Sequence, residues 1–352
     1  MGLRSLAEAA RERPICTPVI EETQVGAARR RAAALAVALG FDETRAGRLG
    51  VIVTEAANNL VHHAKGGVLI VQPTRGRVGL DVIAIDRGPG MADPEGCMRD
   101  GYSTAGTQGQ GLGAIRRQAD EFDLDSKPGA GTVVVARIWR DGATADEPRA
   151  GVKFGAVSTP IDGEEHVGDS WACAASATGA AAIVADGLGH GVEAESASLD
   201  AIHTFLADPD APTTRILERS NEALRSGRGA AVAVARMEHD LVRFAGVGNV
   251  AGSVIEGSSV RHMVSHNGIV GHQMPRAQEF TYPWSDRSLL VMASDGIRPQ
   301  WRLEAYPGLT RRHPTVIAAT IWRDNNRGRD DATVVVAQGP ALRRDDPSHV
   351  RD

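Results

Sequence analysis

Glu55 and Asn59 stand four residues apart in the run Glu55-Ala56-Ala57-Asn58-Asn59, so on a helix their side chains share one face about one turn apart. Such a pair could act on one ligand. An asparagine amide oxygen is a hard ligand suited to a Mg²⁺ bridging nucleotide phosphates, and a carboxylate one turn earlier can accept a proton from an attacking hydroxyl or orient a water. Asp86 closes an apolar run and precedes the turn Gly88-Pro89-Gly90, where its carboxylate would face a pocket walled by backbone and could accept the exocyclic amine of adenine. Gly109, Gly111 and Gly113 then lead into Ile115, Arg116 and Arg117, a loop feeding a helix N-terminus whose free N–H groups suit phosphate. Taken singly, these are solvated helix positions, an aspartate opening a turn and a flexible loop. Together they describe a nucleotide pocket.

A second set is a ladder of aspartates at strand ends and tight turns, in Gly168-Asp169, Asp186-Gly187-Leu188-Gly189-His190-Gly191, Ser294-Asp295-Gly296 and Asp330-Asp331-Ala332-Thr333. Hard divalent cations need several oxygen ligands, and paired ions held by shared carboxylates can activate water against phosphorus. Asp186 follows Ala182-Ile183-Val184-Ala185, so its carboxylate can bridge two ions while the Gly187 carbonyl adds a ligand. Asp295 repeats that design after Leu289-Leu290-Val291-Met292-Ala293, and Asp330 precedes Thr333-Val334-Val335-Val336. One Asp-Gly after a strand is ordinarily a turn; three similar placements plus Gly168-Asp169 exceed that explanation. The first set could add a phosphate and the second remove one.

The elements that must carry these residues are legible from periodicity. Residues 24–39 read as an Ala-rich amphipathic helix stopped at Gly40, and a second helix, N-capped by Asp42, carries the 55–59 motif. Strands are expected at 68–71, 80–85 and 132–136, with a helix after Gly111. Beyond residue 151 strands are expected at 171–177, 180–185, 230–237, 241–245, 250–255, 288–294 and 332–337, with helices at 192–207, 213–226 and 313–324. The polar segment 140–151 suits a linker. The expected organisation is a helix-plus-sheet domain over 1–139, a β-sandwich flanked by helices over 152–338, and a disordered charged tail over 339–352.

Composition agrees. A chain of 352 residues with 42% hydrophobic content can bury two cores. A net charge of −5 and the lack of a basic stripe with interleaved aromatics argue against nucleic acid and anionic membrane as partners. Cys16, Cys97 and Cys173 are odd in number and outside any CxxC pattern, so reduced thiols are expected. Arg4, Glu8, Arg11, Glu12 and Arg13 occupy the place of a signal peptide's apolar run, which points to the cytoplasm. Gly109, Gly111 and Ala114 also fit a GxGxxA dinucleotide fingerprint, but Asp100 to Gln108 is polar where that fingerprint needs a strand, and no Walker-type loop exists.

The three elements of the first set, in order and spacing, resemble the GHKL ATP-binding fold of gyrase, MutL and the histidine kinases. Asp100-Gly101-Tyr102-Ser103-Thr104 leading into Gly109-Gln110-Gly111-Leu112-Gly113 looks most like the small bacterial serine/threonine kinases of the anti-sigma and stressosome-switch type. That resemblance implies Asn59 on Mg²⁺, Glu55 as catalytic base, Asp86 on adenine, the 109–113 glycines around the phosphates of ATP, and Thr132 near the base. No phospho-acceptor histidine lies in an upstream dimerisation helix, and His62 and His63 read as packing or helix-end contacts. The second set, with DGxGHG at 186–191 as its most specific element, resembles the sporulation stage II E branch of the protein phosphatase 2C superfamily. It implies an αββα sandwich and two Mn²⁺ or Mg²⁺ held by Asp186, the Gly187 carbonyl, Asp295 and Asp330, with Asp169 a direct or water-mediated ligand and Asp331 an ambiguous neighbour. His190 could assist the leaving group or be structural; Ala245-Gly246-Val247-Gly248-Asn249 reads as fold support. The expected class is thus a two-domain α/β (α+β) chain. By resemblance, its partners would be STAS-domain anti-sigma antagonists or stressosome-type proteins. The rival reading makes the first domain a nucleotide sensor that gates the phosphatase, or a module that sequesters a sigma factor.

Overall fold

The computed structural model describes residues 12–75, 77–98, 111–141, 151–175 and 179–339. In chain order the first part contains β1 (Ile15–Val19), α1 (Glu22–Ala38), α2 (Glu43–Ala64), β2 (Gly67–Pro73), β3 (Gly79–Ile85), α3 (Pro94–Cys97), α4 (Gly111–Gln118), β4 (Glu121–Lys127) and β5 (Gly131–Trp139). The second contains β6 (Lys153–Thr159), β7 (Asp169–Ala175), β8 (Ala180–Gly187), α5 (Val192–Ala207), α6 (Thr213–Ala223), β9 (Ala230–Met237), β10 (Leu241–Val247), β11 (Ala251–Glu256), β12 (Ser259–His262), β13 (Phe280–Pro283), β14 (Leu289–Ala293), α7 (Pro314–Asn325) and β15 (Ala332–Gln338). Three five-stranded sheets result, in the orders β1-β2-β3-β5-β4, β13-β10-β9-β8-β7 and β12-β11-β14-β15-β6, and every strand pairing is antiparallel.

The expected helices and strands form close to where the periodicity places them. Asp42 caps α2 by accepting from the Arg45 amide at 2.7 Å, satisfying one of the orphan donors of a helix start. Unforeseen were β1, β4, β6, β12 and β13. Strand β4 is the instructive case, because in Glu121-Phe122-Asp123-Leu124-Asp125 the acidic residues suggest a solvated turn. Two of them are committed to the second half of the chain: Glu121 meets His313 Nε2 at 3.0 Å, and Asp123 accepts from the His313 amide at 2.7 Å and from Arg312 at 3.2 Å. The 140–151 and 339–352 assignments fall almost wholly outside the described residues.

Alternation along the first sheet shows how the layers stack. Val82, Ala84, Val134 and Ala136 pack with α1 and α2, whereas Ile83, Ile85, Val133 and Val135 point the other way, into a core shared with α7 and with Val157, Val291, Val334 and Val336. Successive side chains on a strand face opposite sides, so β3, buried at all seven positions, is covered on both faces. Helix α7 supplies the second cover. Pro314 to Ile321 are all buried, and a helix apolar all round belongs inside a structure. The remaining cores lie between the second and third sheets, around Trp171, Phe244 and Met292, and between the second sheet and α5–α6, around Phe205, Ile202 and Leu217. The second half is therefore an αββα sandwich, and its α7 layer also roofs the first sheet.

Polar groups stitch that seam. Arg137 donates to both Asp81 oxygens, at 2.5 and 2.9 Å, and to Thr315 Oγ1 at 3.1 Å. Gln72 donates to the Ala156 carbonyl at 2.7 Å and accepts from the Ser158 amide at 3.2 Å. Arg13 forks onto Glu195 at 2.6 and 2.8 Å.

Candidate functional sites

In the first domain α2 carries Glu55 and Asn59, both half-buried and on one face. A Cβ on Gly111, where α4 begins, would lie 2.9 Å from Asn59 Oδ1. Asn59 Nδ2 is buried and without a hydrogen-bond partner among the described residues; buried donors are ordinarily satisfied, so an orphan amide suggests a ligand. At the end of β3, Asp86 Oδ1 accepts from the Gly88 amide at 2.7 Å and the Thr132 amide at 3.1 Å. Burial pushes the Asp86 carboxyl up, against the pull of those two amides. Gly90 has φ of 70°, and a Cβ there would collide with the Lys127 carbonyl oxygen; only glycine keeps this turn against the strand. The fold thus gathers Asp86, Gly88, Gly90 and Thr132 at one place and Asn59 with Gly111 at another, and Gly113 is buried in α4. Gly109 and the Asp100 to Thr104 run lie outside the described residues. The orphan amide, the bare-backbone turn and the aspartate between two amides fit a Mg²⁺-nucleotide.

In the second domain Asp169 and Asp186 are direct cross-strand partners on β7 and β8. Asp169 Oδ2 accepts from Ser294 Oγ at 2.6 Å, and that hydroxyl accepts from the Thr333 amide at 2.9 Å, tying three of the four aspartate segments together. Asp186 is pushed up to about 7, first by burial and then by repulsion from Asp295, Asp330 and Asp331. Burial, followed by Asp186, drives Asp169 well above the usual carboxylate range, and burial, followed by Asp330, raises Asp295. A set of mutually repelling carboxylates, with Asp169 buried and Asp186, Asp295 and Asp330 half-buried, is the donor set of hard divalent cations. Its chemistry fits. Its spacing is wider than one ion's shell, because among the described residues no three His, Cys, Asp or Glu side chains surround a single point as metal ligands would; the set would have to be shared between ions or tighten around them.

Three neighbours acquire definite surroundings. Asp331 is committed to backbone, accepting from the Ile161 amide at 2.8 Å and the Gly168 amide at 2.7 Å, so its carboxylate organises the β6–β7 connection. His190 is exposed and pairs with Glu164 at 3.0 Å. Asn249, read from sequence as fold support, donates from Nδ2 to Asp295 Oδ2. The Ala-Gly-x-Gly-Asn turn was the available signal, but its amide's target was not. A cleft at the domain seam, lined by Arg13, Gln72, Arg75, Asp169 and Glu195, has about 20 Å³ of room, enough for a water or two and too small for a nucleotide.

No helix among the described residues is long and apolar enough to cross a membrane. Residues 20–138 match the histidine kinase-like ATPase domain, and residues 176–339 match stage II sporulation protein E. Serine/threonine-protein kinase RsbT of Bacillus subtilis (strain 168) is 39% identical over 126 residues, which cover 35% of this chain and 95% of that protein. A solved structure from work on the bacterial stressosome, as a modular system adapted to control secondary messenger signalling, is 25% identical with a TM-score of 0.50, covering 53% of this chain and 99% of the other. RsbX in complex with magnesium is 19% identical with a TM-score of 0.45, over 53% of this chain and 94% of that one. The 39% identity to nearly the whole of RsbT, with the match over residues 20–138, makes the chain a member of the RsbT-like branch of the histidine kinase-like ATPases, joined to a segment that matches stage II sporulation protein E.

Proposed function

We propose that this chain is a bifunctional cytoplasmic regulator of serine/threonine phosphorylation in a bacterial anti-sigma or STAS partner-switching pathway, adding phosphate with one domain and removing it with the other. The observation that carries the reading is the presence in one chain of the Asp86–Thr132 cradle and of Asp169 and Asp186 facing each other across β7 and β8, with Asp169 tied through Ser294 to the segment that bears Asp295. In the first domain Asp86 would accept the adenine amine beside Thr132, while Gly88, Gly90, Gly109, Gly111 and Gly113 leave backbone free to approach ATP. Asn59 would hold Mg²⁺, and Glu55 would take the proton of the attacking serine or threonine hydroxyl. In the second, Asp186, Asp295, Asp330, the Gly187 carbonyl and Asp169 would hold two Mn²⁺ or Mg²⁺. Such ions, when bound, offset phosphoryl charge and activate water. Ser294 and Asn249 hold Asp169 and Asp295 in place for that task.

Hydrolysis of p-nitrophenyl phosphate that requires Mn²⁺ and is lost in Asp186→Ala is expected, as is transfer of phosphate from ATP to a purified STAS-domain protein that is lost in Glu55→Ala. Activity persisting in either variant would sink the corresponding half. In the second reading, the first domain senses ATP and gates the phosphatase, or sequesters a sigma factor. It draws support from the roofing of the first sheet by α7, and would be preferred if ATP binds without phosphotransfer.

A further inference from the structure

Arg87 follows the candidate adenine aspartate and leaves its own domain. Its guanidinium donates from Nη1 to Asp324 Oδ1 at 3.3 Å and from Nη2 to the Arg323 carbonyl, both on the last turn of α7. The receiving group is held firmly. Asp324 is forked by Arg323 at 2.9 and 2.8 Å and accepts from the Tyr306 hydroxyl at 3.0 Å, and the Lys127 ammonium lies 5.7 Å from the centre of the Tyr306 ring. Both Arg87 and Lys127 flank the turn built around Gly90, whose Cα sits against the Lys127 carbonyl.

From that anchor the chain runs directly into the aspartate cluster. The Asn325 carbonyl accepts from the Arg298 amide at 2.9 Å, Asn326 bridges Ile297, and the Arg327 amide donates to the Gly296 carbonyl at 2.9 Å. These bonds clamp the loop immediately after Asp295. Four residues beyond Asn326 stands Asp330, and Gly296 packs so closely on the Asp331 carbonyl that no Cβ would fit between them. Residues 324–331 therefore begin on the nucleotide domain's arginine, are bonded on the way to the loop after Asp295, and reach Asp330, so that they bear on two of the proposed metal carboxylates.

We propose that Arg87 is a positioning residue for Asp295 and Asp330, and that through it occupancy of the Asp86 pocket changes the affinity of the aspartate cluster for divalent cations. This rests on the reading of both sites given above. Asp86 now spends Oδ1 on the Gly88 and Thr132 amides; a nucleotide amine drawn to that carboxylate would bear on the turn from which Arg87 reaches α7. A ligand shifts an equilibrium only by its differential affinity for the two arrangements, and the coupling must be reciprocal: whatever factor ATP imposes on Mn²⁺ binding, Mn²⁺ imposes on ATP binding.

The test is calorimetric titration of the full chain with adenosine, which carries the amine for Asp86 but no phosphates to bind the metal, with and without Mn²⁺, repeated for Arg87→Ala and Asp324→Asn, and the converse titration of Mn²⁺. The Arg87 side chain is 68% exposed, so its removal leaves the core intact. The wild type is expected to show equal reciprocal shifts of roughly fivefold or more, the usual range for coupled sites, and both variants to bind each ligand with the shift reduced towards unity. Shifts of wild-type size in Arg87→Ala, or independent binding in the wild type, would overturn the proposal while leaving both sites standing. Failure of the wild type to bind one ligand would overturn the site reading and this proposal with it.

Discussion

Arg137 on β5 and Asp81 on β3 form a two-pronged ion pair of 2.5 and 2.9 Å whose guanidinium also reaches Thr315 on α7. Both side chains are almost wholly buried, so the pair lies where the first sheet meets the second domain's helix. Neighbouring Glu121 and His313 extend it. Burial opposes the charge on Arg137, but Asp81 and Glu121 hold it firmly protonated.

Removing one partner of a buried pair strands the other. Arg137→Met should cost about 3–5 kcal/mol by leaving Asp81 uncompensated, whereas replacing both with apolar residues of similar volume should restore most of that loss. Denaturant midpoints of the single and double variants check this, and equal midpoints would contradict it.

Asn249 donates from Nδ2 to Asp295 Oδ2. Asn249→Ala should raise the Mn²⁺ concentration needed for half-maximal p-nitrophenyl phosphate hydrolysis about 10-fold or more, the usual effect of losing a group that orients a ligand, and leave the melting temperature nearly unchanged. Asp331→Ala should behave in the opposite way, because its two oxygens hold the Ile161 and Gly168 amides: thermal stability should fall by about 1–3 kcal/mol from two stranded donors.

Gly90→Ala meets two penalties together, a left-handed φ of 70° and a collision with the Lys127 carbonyl. Loss of ATP-analogue binding is expected, with Mn²⁺-dependent hydrolysis retained in the second domain; unchanged ATP binding would count against the Asp86 pocket.

Acid should loosen the seam. Burial favours protonation of Glu195, but hydrogen bonds from Arg13 and His166 outweigh it and hold the carboxyl below its usual value. A carboxyl depressed on folding contributes stability above its unfolded pKa, about 4.3, and loses that contribution as pH falls through the lower folded value. Stability measured from pH 6 to 3 should therefore decline on the acid side, and Glu195→Gln should flatten part of that decline. An unaltered acid limb would remove Glu195 from the account.

How much of this was readable beforehand depended on whether a residue's partner lay nearby in sequence. Asp42, Glu55, Asn59, Asp86 and Asp186 stand at helix starts, helix faces and strand ends, where local pattern fixes position. Helices at 192–207 and 313–324 also follow local periodicity and form at Val192–Ala207 and Pro314–Asn325. Strand β4 was hidden because Glu121 and Asp123 look solvated until Arg137, Arg312 and His313 arrive from elsewhere in the chain. Arg87 gave no signal at all, since its meaning lies 237 residues away at Asp324. The helical pattern at 313–324 placed α7 but did not show that two domains would share it.

That shared helix makes the halves mutually dependent as products of expression. Cut at residue 140, the first half would present Ile70, Ile83, Ile85, Val133 and Val135 to water as one apolar face, the kind of surface that aggregates or recruits a substitute. The second half would carry α7 with one side stripped. Separately produced fragments should fare better together than apart, reassembling around α7 when mixed, and a fusion partner exchanged for either half would have to bring its own cover.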